Sequence, residues 1–467
     1  MSWIRPLFVN LSRNQIPKHF TIPCHLNHSL AKLDPLINVS NDYTSQDWAK
    51  TISSRITNCT NIQQLNEIYA HVIRIHMLEL YSAPFYWNTI IRAYTRFSSP
   101  SKALYVSIAM FRARVYPDTY TLPVILTSIS QKSDISIIRQ FHTVAKKHGL
   151  DTNLFCESGF IRLYAKAGEF NNARKLFDES PERNLGSWNA IIGGLSKSGR
   201  AREAVNMFLE LKRSGLAPDD VTMVSVTSAC GSLGDLGLSL QLHKCVLQAK
   251  TLEKSDLLML NSLIDMYGKC GRMDLANIIF SRMHFRNVSS YTSLIVGYAT
   301  HGHINKALEC FNTMRSEQKP SPNGVTFVGV LTACVHGGLV EKGRHYFKIM
   351  KDEYGIEPWL EHYGCMVDLF SRSGLLEEAR KMVEVMPMEG NVVIWGSLMG
   401  GCEKYGDVKM GEWVGGKLLE LEPWNDGVYV VMSNIYASNG LWEDVGKMRK
   451  IMKERRLAKV PGYSLGV

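Results

Sequence analysis

No stretch of the 467-residue chain approaches the eighteen or so uninterrupted apolar residues of a membrane-spanning helix; runs such as 221–230 are short and carry hydroxyls. A membrane span is therefore not expected. Cys-x-x-Cys is missing as well: the cysteines at 24, 59, 156, 230, 245, 270, 310, 334, 365 and 402 include no such pair, so no zinc site is readable. Cys230, Cys334 and Cys402 follow small residues inside apolar segments, where a thiol acts as a compact core side chain. A zinc-dependent base deaminase needs His-x-Glu and Pro-Cys-x-x-Cys to bring metal, water and proton shuttle together. No histidine here precedes a glutamate by two places, and Pro23-Cys24 lacks its second cysteine. His76 with Glu79, and His301 with His303, read as surface or helix-packing residues. The segment from Gly411 to Lys417 nearly spells a phosphate loop, but Leu418 replaces the magnesium-binding hydroxyl and the surrounding pattern is helical. With no Ser/His/Asp, paired-carboxylate or dinucleotide signature either, neither an autonomous enzyme, a cofactor nor a small-molecule substrate is expected.

Acidic residues are also scarce, and unevenly so. Lys plus Arg number 53 against 43 Asp plus Glu, an excess that makes a polyanionic partner worth testing. Residues 1–33 hold Arg5, Arg13, Lys18 and Lys32, with Ser2, Ser12 and Ser29, and no carboxylate precedes Asp34. That composition reads as an organelle transit segment over 1–33, mitochondrial in preference to chloroplast, followed by a linker over 34–47; a basic tail is the alternative. Hydrophobic residues make up 45% and charged residues 21%, so the remainder has the makings of a real core.

What the chain has in abundance is repetition, at a period near 103 residues. Trp87, Trp188, Tyr291 and Trp395 open matching segments 101, 103 and 104 residues apart. Out of phase with these run Tyr164-Ala-Lys-Ala-Gly168, Tyr267-Gly-Lys-Cys-Gly271 and Phe370-Ser-Arg-Ser-Gly374, and a third series occupies 124–130, 225–230 and 329–338. Each long period therefore holds three related sub-units. Within one, Trp188, Ile191, Ile192 and Leu195, then Ala204, Val205, Phe208 and Leu211 after Gly199, mark two amphipathic helices joined at a glycine. Pro117-Asp118 and Pro218-Asp219 end such units. One hairpin cannot hide its apolar faces, so neighbours must stack, predicting an all-α, right-handed superhelical α-solenoid with a concave groove.

Segments such as 261–276 (NSLIDMYGKCGRMDLA) and 362–379 (HYGCMVDLFSRSGLLEEA) resemble the pentatricopeptide repeat family of plants, in the subgroup alternating long, ordinary and short repeats. The resemblance covers about 48–467. It implies repeats at 48–83 (long), 84–118 (ordinary), 119–153 (long), 154–184 (short), 185–219, 220–256, 257–287, 288–323, 324–358 and 359–390. The ordinary repeat at 84 follows the long one without the short repeat usual between them. Residues 391–467 resemble the C-terminal E domain, as two further hairpins, and family members with a deaminase domain continue beyond this point.

For function, the resemblance implies single-stranded RNA read one base per repeat by the fifth and last residues. Carried onto this sequence, the pairs are Asn88 with Asp118, Ser158 with Asn184, Asn189 with Asp219, Asn261 with Asn287, and Thr292 with Asn323. The family's code implies uracil for the two Asn/Asp pairs, adenine for Ser/Asn and Thr/Asn, and a pyrimidine for Asn/Asn. Amides and hydroxyls offer donor and acceptor to a base edge, although Asn, Asp and Ser also cap helices in any protein. Long-repeat counterparts Pro123, Val224 and Val328 are expected to space the readers, and Gly364 has nothing to read with. Phe85, Phe155 and Leu258 stand where the family stacks apolar side chains on base faces, while Gly186 and Ser289 do not fit that role. The leading expectation is an organellar factor selecting a cytidine for C-to-U editing, with the deaminase supplied in trans. The alternatives are transcript stabilisation, end processing or splicing, and, from another class, a protein-binding helical scaffold.

Overall fold

The computed structural model describes residues 45–74, 84–130, 134–151, 153–248, 257–317 and 320–455. The proposed transit segment 1–33, with Pro23-Cys24, and the pair His76 and Glu79 lie outside them. The described residues form twenty-four helices and no strand. The helices fall into two units, one ending at Val226 and one beginning at Thr227.

The first unit contains α1 (Ser45–Asn58), α2 (Ile62–Arg74), α3 (Pro84–Arg96), α4 (Pro100–Arg112), α5 (Thr121–Ser130), α6 (Ile135–Lys147), α7 (Leu154–Lys166), α8 (Phe170–Glu179), α9 (Leu185–Lys197), α10 (Ala201–Arg213) and the start of α11 (Asp220–Leu233). Helix α1 begins at Ser45, so the linker read as reaching residue 47 gives way to helix three residues early. The second unit continues with α12 (Leu236–Gln248), α13 (Leu257–Lys269), α14 (Met273–Arg282), α15 (Val288–Thr300), α16 (Ile304–Ser316), α17 (Gly324–Gly337), α18 (Val340–Asp352), α19 (Leu360–Arg372), α20 (Leu376–Val385), α21 (Val392–Tyr405), α22 (Val408–Leu421), α23 (Asp426–Ser438) and α24 (Trp442–Glu454).

From α1 to α9, and again from α13 to α23, the odd-numbered helices stack on one another in chain order, and each even-numbered helix between them leans on its own partner and on the next odd one. The sequence dictates these roles. Helix α8 buries only Ala173 and Phe177 and turns its charges outward, as a one-sided helix should. Helix α15 buries eight residues from Ser290 to Ala299, because it is covered from more than one direction. The residues that open the long periods are anchors: Trp188 and Tyr291 are buried and receive Phe177 and Phe280 edge-to-face, at centroid distances of 4.5 and 5.0 Å. Cys230, Cys334 and Cys402 are core side chains, their thiols pushed up to about 12 by burial.

The close approach of consecutive odd helices depends on small residues in register. Gly194 of α9 lies against Ala165 of α7, Gly297 of α15 against Gly268 of α13, and Gly401 of α21 against Ser371 of α19. A Cβ at Gly401 would sit 2.9 Å from Ser371 Cβ and 3.0 Å from its carbonyl oxygen. These contacts account for two motifs at once: the second residue of each Tyr-Ala-Lys-Ala-Gly-type motif meets the glycine six places after the next Trp or Tyr. The glycines that close the same motifs, Gly168, Gly271 and Gly374, take φ of 80°, 72° and 78°, which L side chains avoid.

The far ends of these helices are tied across the stack. A helix C-terminus leaves four carbonyls unpaired, and here a donor from the next repeat reaches them. Arg96 donates to the carbonyls of Thr57 (2.8 Å) and Cys59 (2.9 Å), and Lys166 to Ser130. In the second unit His301 Nε2 meets the Gly268 carbonyl at 2.7 Å, Lys404 and Tyr405 both reach Arg372, and Asn439 reaches Gly406. His301 is thus a helix-end staple. The Gly411–Lys417 segment lies inside α22, with Lys417 paired to Glu420.

Gly194→Ala and Gly401→Ala are expected to lower stability by about 1–3 kcal/mol through overpacking. Gly416→Ala, on the exposed face of α22 with nothing within 4 Å of an added Cβ, is expected to be neutral or stabilising. Denaturant unfolding of the three variants checks the contrast.

Candidate nucleic-acid interface

Each proposed last residue stands at the N-terminus of an odd helix, where backbone N–H groups need acceptors. Asp118 accepts from the N–H groups of Tyr120 (2.9 Å) and Thr121 (2.7 Å) ahead of α5. Asn184 Oδ1 accepts from Ser187 N–H at 2.8 Å, Asp219 Oδ1 from Thr222 at 2.8 Å, Asn287 Oδ1 from Ser290 at 3.0 Å and Asn323 Oδ1 from Thr326 at 3.0 Å. All five are therefore capping residues. Capping does not exhaust Asp219 and Asn287, because the fifth residue of the same repeat reaches the same group.

Asn189 Nδ2 donates to both oxygens of Asp219, at 3.0 and 2.9 Å, across 30 residues of sequence. Asn261 Nδ2 donates to Asn287 Oδ1 at 3.0 Å. The Asp118 carboxyl is held below its ordinary value: burial alone raises it, and hydrogen bonding from Thr121 and Tyr120, with a smaller contribution from Asn88, outweighs that, while Asn88 Oδ1 is buried without a partner. Thr292 and Asn323 meet only through Thr326, and Ser158 turns to the Phe155 carbonyl at 3.2 Å. Hydrogen bonds thus join two of the five pairs directly, Asn189–Asp219 and Asn261–Asn287, and one, Thr292–Asn323, by relay.

These side chains are less open than free polar groups facing a groove. Asn88, Ser158, Asn261 and Thr292 keep 7–8% exposure, and Asn189 is half-buried. The cause is a set of residues that the sequence reading passed over. Thr121, Ser187, Thr222, Ser290 and Thr326, each three places after a cap, are fully buried, and their hydroxyls share the cap's acceptor or meet the reader. Their signal is plain in retrospect: Asp/Asn-x-x-Ser/Thr occurs at 118–121, 184–187, 219–222, 287–290 and 323–326.

Phe85, Phe155 and Leu258 are 61%, 76% and 59% exposed at the first turns of α3, α7 and α13, so their apolar faces are presented to solvent. Tyr120, Val221 and Val325 are exposed at the matching places in the long repeats. The apolar row is therefore fuller than the sequence reading made it. A Cβ on Gly186 would lie 3.7 Å from Ser158 Oγ, which places the second residue of one repeat beside the reader of the repeat before it. Pro123, Val224 and Val328 are half-buried.

One ionisable group stands apart. Glu157, next to Ser158, is buried, with Oε2 accepting from Ser180 at 2.9 Å and Oε1 from Ser187 at 3.3 Å. Burial pushes its carboxyl above the ordinary value, against the pull of both hydroxyls. A cavity of about 250 Å³ lies between α8, α9 and α10, but its Arg174 and Arg200 are already paired with Glu210 and Glu203. Its lining comes mostly from α8 and α10, with Ile191 and Leu195 of α9, and contains no proposed reader.

Three family models match the chain. The E motif matches residues 405–465, the PPR repeat family 183–232 and 286–336, and the PPR repeat 158–185, 258–288, 325–354 and 361–391. An Arabidopsis thaliana protein named pentatricopeptide repeat-containing protein At1g77170, mitochondrial, is 57% identical over 450 residues, covering 96% of this chain and 95% of that protein. Among solved structures, the crystal structure of maize PPR10 has a TM-score of 0.61 at 16% identity, covering 92% of this chain and 68% of its own. PPR10 in complex with an 18-nt psaJ RNA element has a TM-score of 0.58, also at 16% identity, covering 92% of this chain and 71% of its own.

Because the Glu157 carboxyl is raised, the folded state favours its protonated form. The stability this contributes is complete below the unfolded value near 4.3 and is lost as pH climbs through the higher folded value. Glu157→Gln should therefore gain on the wild type between pH 4.5 and pH 7.5. Thermal midpoints of both proteins at the two pH values provide the check, and an equal difference at both would contradict it.

Proposed function

The chain belongs to the pentatricopeptide repeat family, and from that premise we propose that it binds single-stranded organellar RNA sequence-specifically and marks a cytidine for C-to-U editing. The observation that carries the reading is the pair of networks Asn189–Asp219 and Asn261–Asn287. In each, a side-chain amide is held at a helix N-terminus, and the repeat that holds Asn261 carries the exposed Leu258 three positions ahead. An amide has two N–H donors and two acceptor lone pairs, so one N–H spent on the cap leaves a donor for a base edge. The exposed apolar side chains supply the complementary contact to base faces, about 1–3 kcal/mol per base where the ring is aromatic.

Carboxylate and amide caps differ in what they leave over. Asp219 offers only acceptors, so it fixes the direction of the Asn189 N–H; Asn287 brings an N–H pair of its own to the same place. This supports uracil at the repeats of Asn88/Asp118 and Asn189/Asp219, a pyrimidine at Asn261/Asn287, and adenine at Ser158/Asn184 and Thr292/Asn323. The E motif match and the basic, acid-free start support an editing role in the mitochondrion, with the deaminase activity brought by a partner in trans. The name of the Arabidopsis relative supports the same compartment.

Two measurements test this. In fluorescence anisotropy, the protein should bind a single-stranded RNA of the inferred pattern more tightly than a shuffled RNA. Asp219→Asn keeps the cap while replacing the carboxylate, and should cut uracil-over-cytosine preference at that nucleotide by about three- to tenfold, the scale of one hydrogen bond. In a plant lacking the protein, sequencing of organelle transcripts should show at least one cytidine that is no longer converted. Unchanged editing with altered transcript ends or introns would move the role to processing, and failure to prefer the matched RNA would favour a protein scaffold.

A further inference from the structure

We propose that Thr222 and Ser290 are specificity-determining positioning residues, which fix the orientation of the reading amides before RNA arrives. This rests on the base-reading role proposed for Asn189 and Asn261. Thr222 Oγ1 lies 2.5 Å from Asn189 Oδ1 and 2.8 Å from Asp219 Oδ1, and it has one proton to give. Asp219 is already supplied: Oδ1 receives Thr222 N–H and Asn189 Nδ2, and Oδ2 receives Nδ2 as well. The proton therefore belongs on Asn189 Oδ1. With the amide reversed, its oxygen would face two carboxylate oxygens, which accept only, so the carboxylate selects the orientation and the threonine proton, given to Asn189 Oδ1, holds it there.

Ser290 does the same at the other asparagine. Its oxygen accepts the Asn287 N–H at 3.2 Å, and its proton lies toward Asn261 Oδ1 at 2.7 Å, nearer than Asn287 Oδ1 at 3.1 Å. Asn287 Oδ1 is fixed as an acceptor because Ser290 N–H points at it. Hence Asn261 must turn its nitrogen to Asn287 and its oxygen to Ser290.

Orientation matters because uracil and cytosine are nearly the same shape with reversed polarity. Uracil presents N3–H and the O4 acceptor, cytosine the N3 acceptor and the N4 amino donor. An amide free to flip can serve either; a latched one cannot. Ser187 provides the internal contrast, since its equally buried hydroxyl faces Asn184 Oδ1 and Glu157 Oε1 while the reader Ser158 bonds elsewhere.

The test uses the full chain and synthetic single-stranded RNAs that differ only by uracil or cytosine at the nucleotide of the Asn189–Asp219 repeat. Wild-type preference for uracil is expected at about tenfold, and Thr222→Val should bring it below about threefold while the uracil RNA is bound nearly as well. Thr222→Ser should restore the ratio, and Ser187→Ala should leave it unchanged. If Thr222→Val does not fold, Ser290→Ala carries the test at the Asn261–Asn287 nucleotide, where the ratio should move toward one. A valine variant that keeps the wild-type ratio overturns the latch and leaves base reading standing. A wild type indifferent to uracil and cytosine overturns both, and is a separate result.

Discussion

Every odd helix in this protein begins with backbone N–H groups that need acceptors, and the way that need is met organises the rest. At α5, α9, α11, α15 and α17 the acceptor is a side chain, Asp or Asn, at the end of the preceding repeat. At Asp219 and Asn287 that side chain also holds the amide of a residue some thirty positions earlier. A local requirement of helix termini thus becomes a bond between neighbouring repeats. At the opposite ends of the helices Arg96, Lys166, His301, Lys404 and Asn439 do the corresponding work for carbonyls. Small residues hold the middle, where Gly194, Gly297 and Gly401 let one backbone lie on the next. The α13–α15 interface is fixed at all three levels, two polar and one steric, and this keeps Asn261 in one place.

The sequence made the helices legible because their signal is local: a 3.6-residue apolar rhythm broken at glycine, repeated near every 103 residues. Asn189 and Asn261 were legible through a family resemblance. Their near-burial was not. It arises from hydroxyls at Thr222 and Ser290 that belong to the following repeat, and a reading that treats each repeat as a closed unit separates partner from partner. Glu157 was equally hidden, since its neighbours Ser180 and Ser187 are 23 and 30 residues away.

The apolar row teaches a related lesson. Confining the search to ordinary and short repeats found Phe85, Phe155 and Leu258 but passed over Tyr120, Val221 and Val325, which the long repeats expose in the same way. Backbone geometry, repeated faithfully, places a second residue at the first turn of a helix whichever class of repeat carries it. The fifth residue beside it differs: at 123, 224 and 328, in the long repeats, it is proline or valine.

The hydroxyl three places into each helix also bears on how such a chain is divided. A boundary drawn after Asp219 or Asn287 is natural on paper and cuts through a hydrogen-bonded cluster in space, leaving Thr222 or Ser290 on the wrong side. The physical module begins three residues later than the textual one. A cassette transplanted between arrays with that overhang would carry its own lock; one trimmed at the aspartate or asparagine would inherit whatever its new neighbour happened to provide.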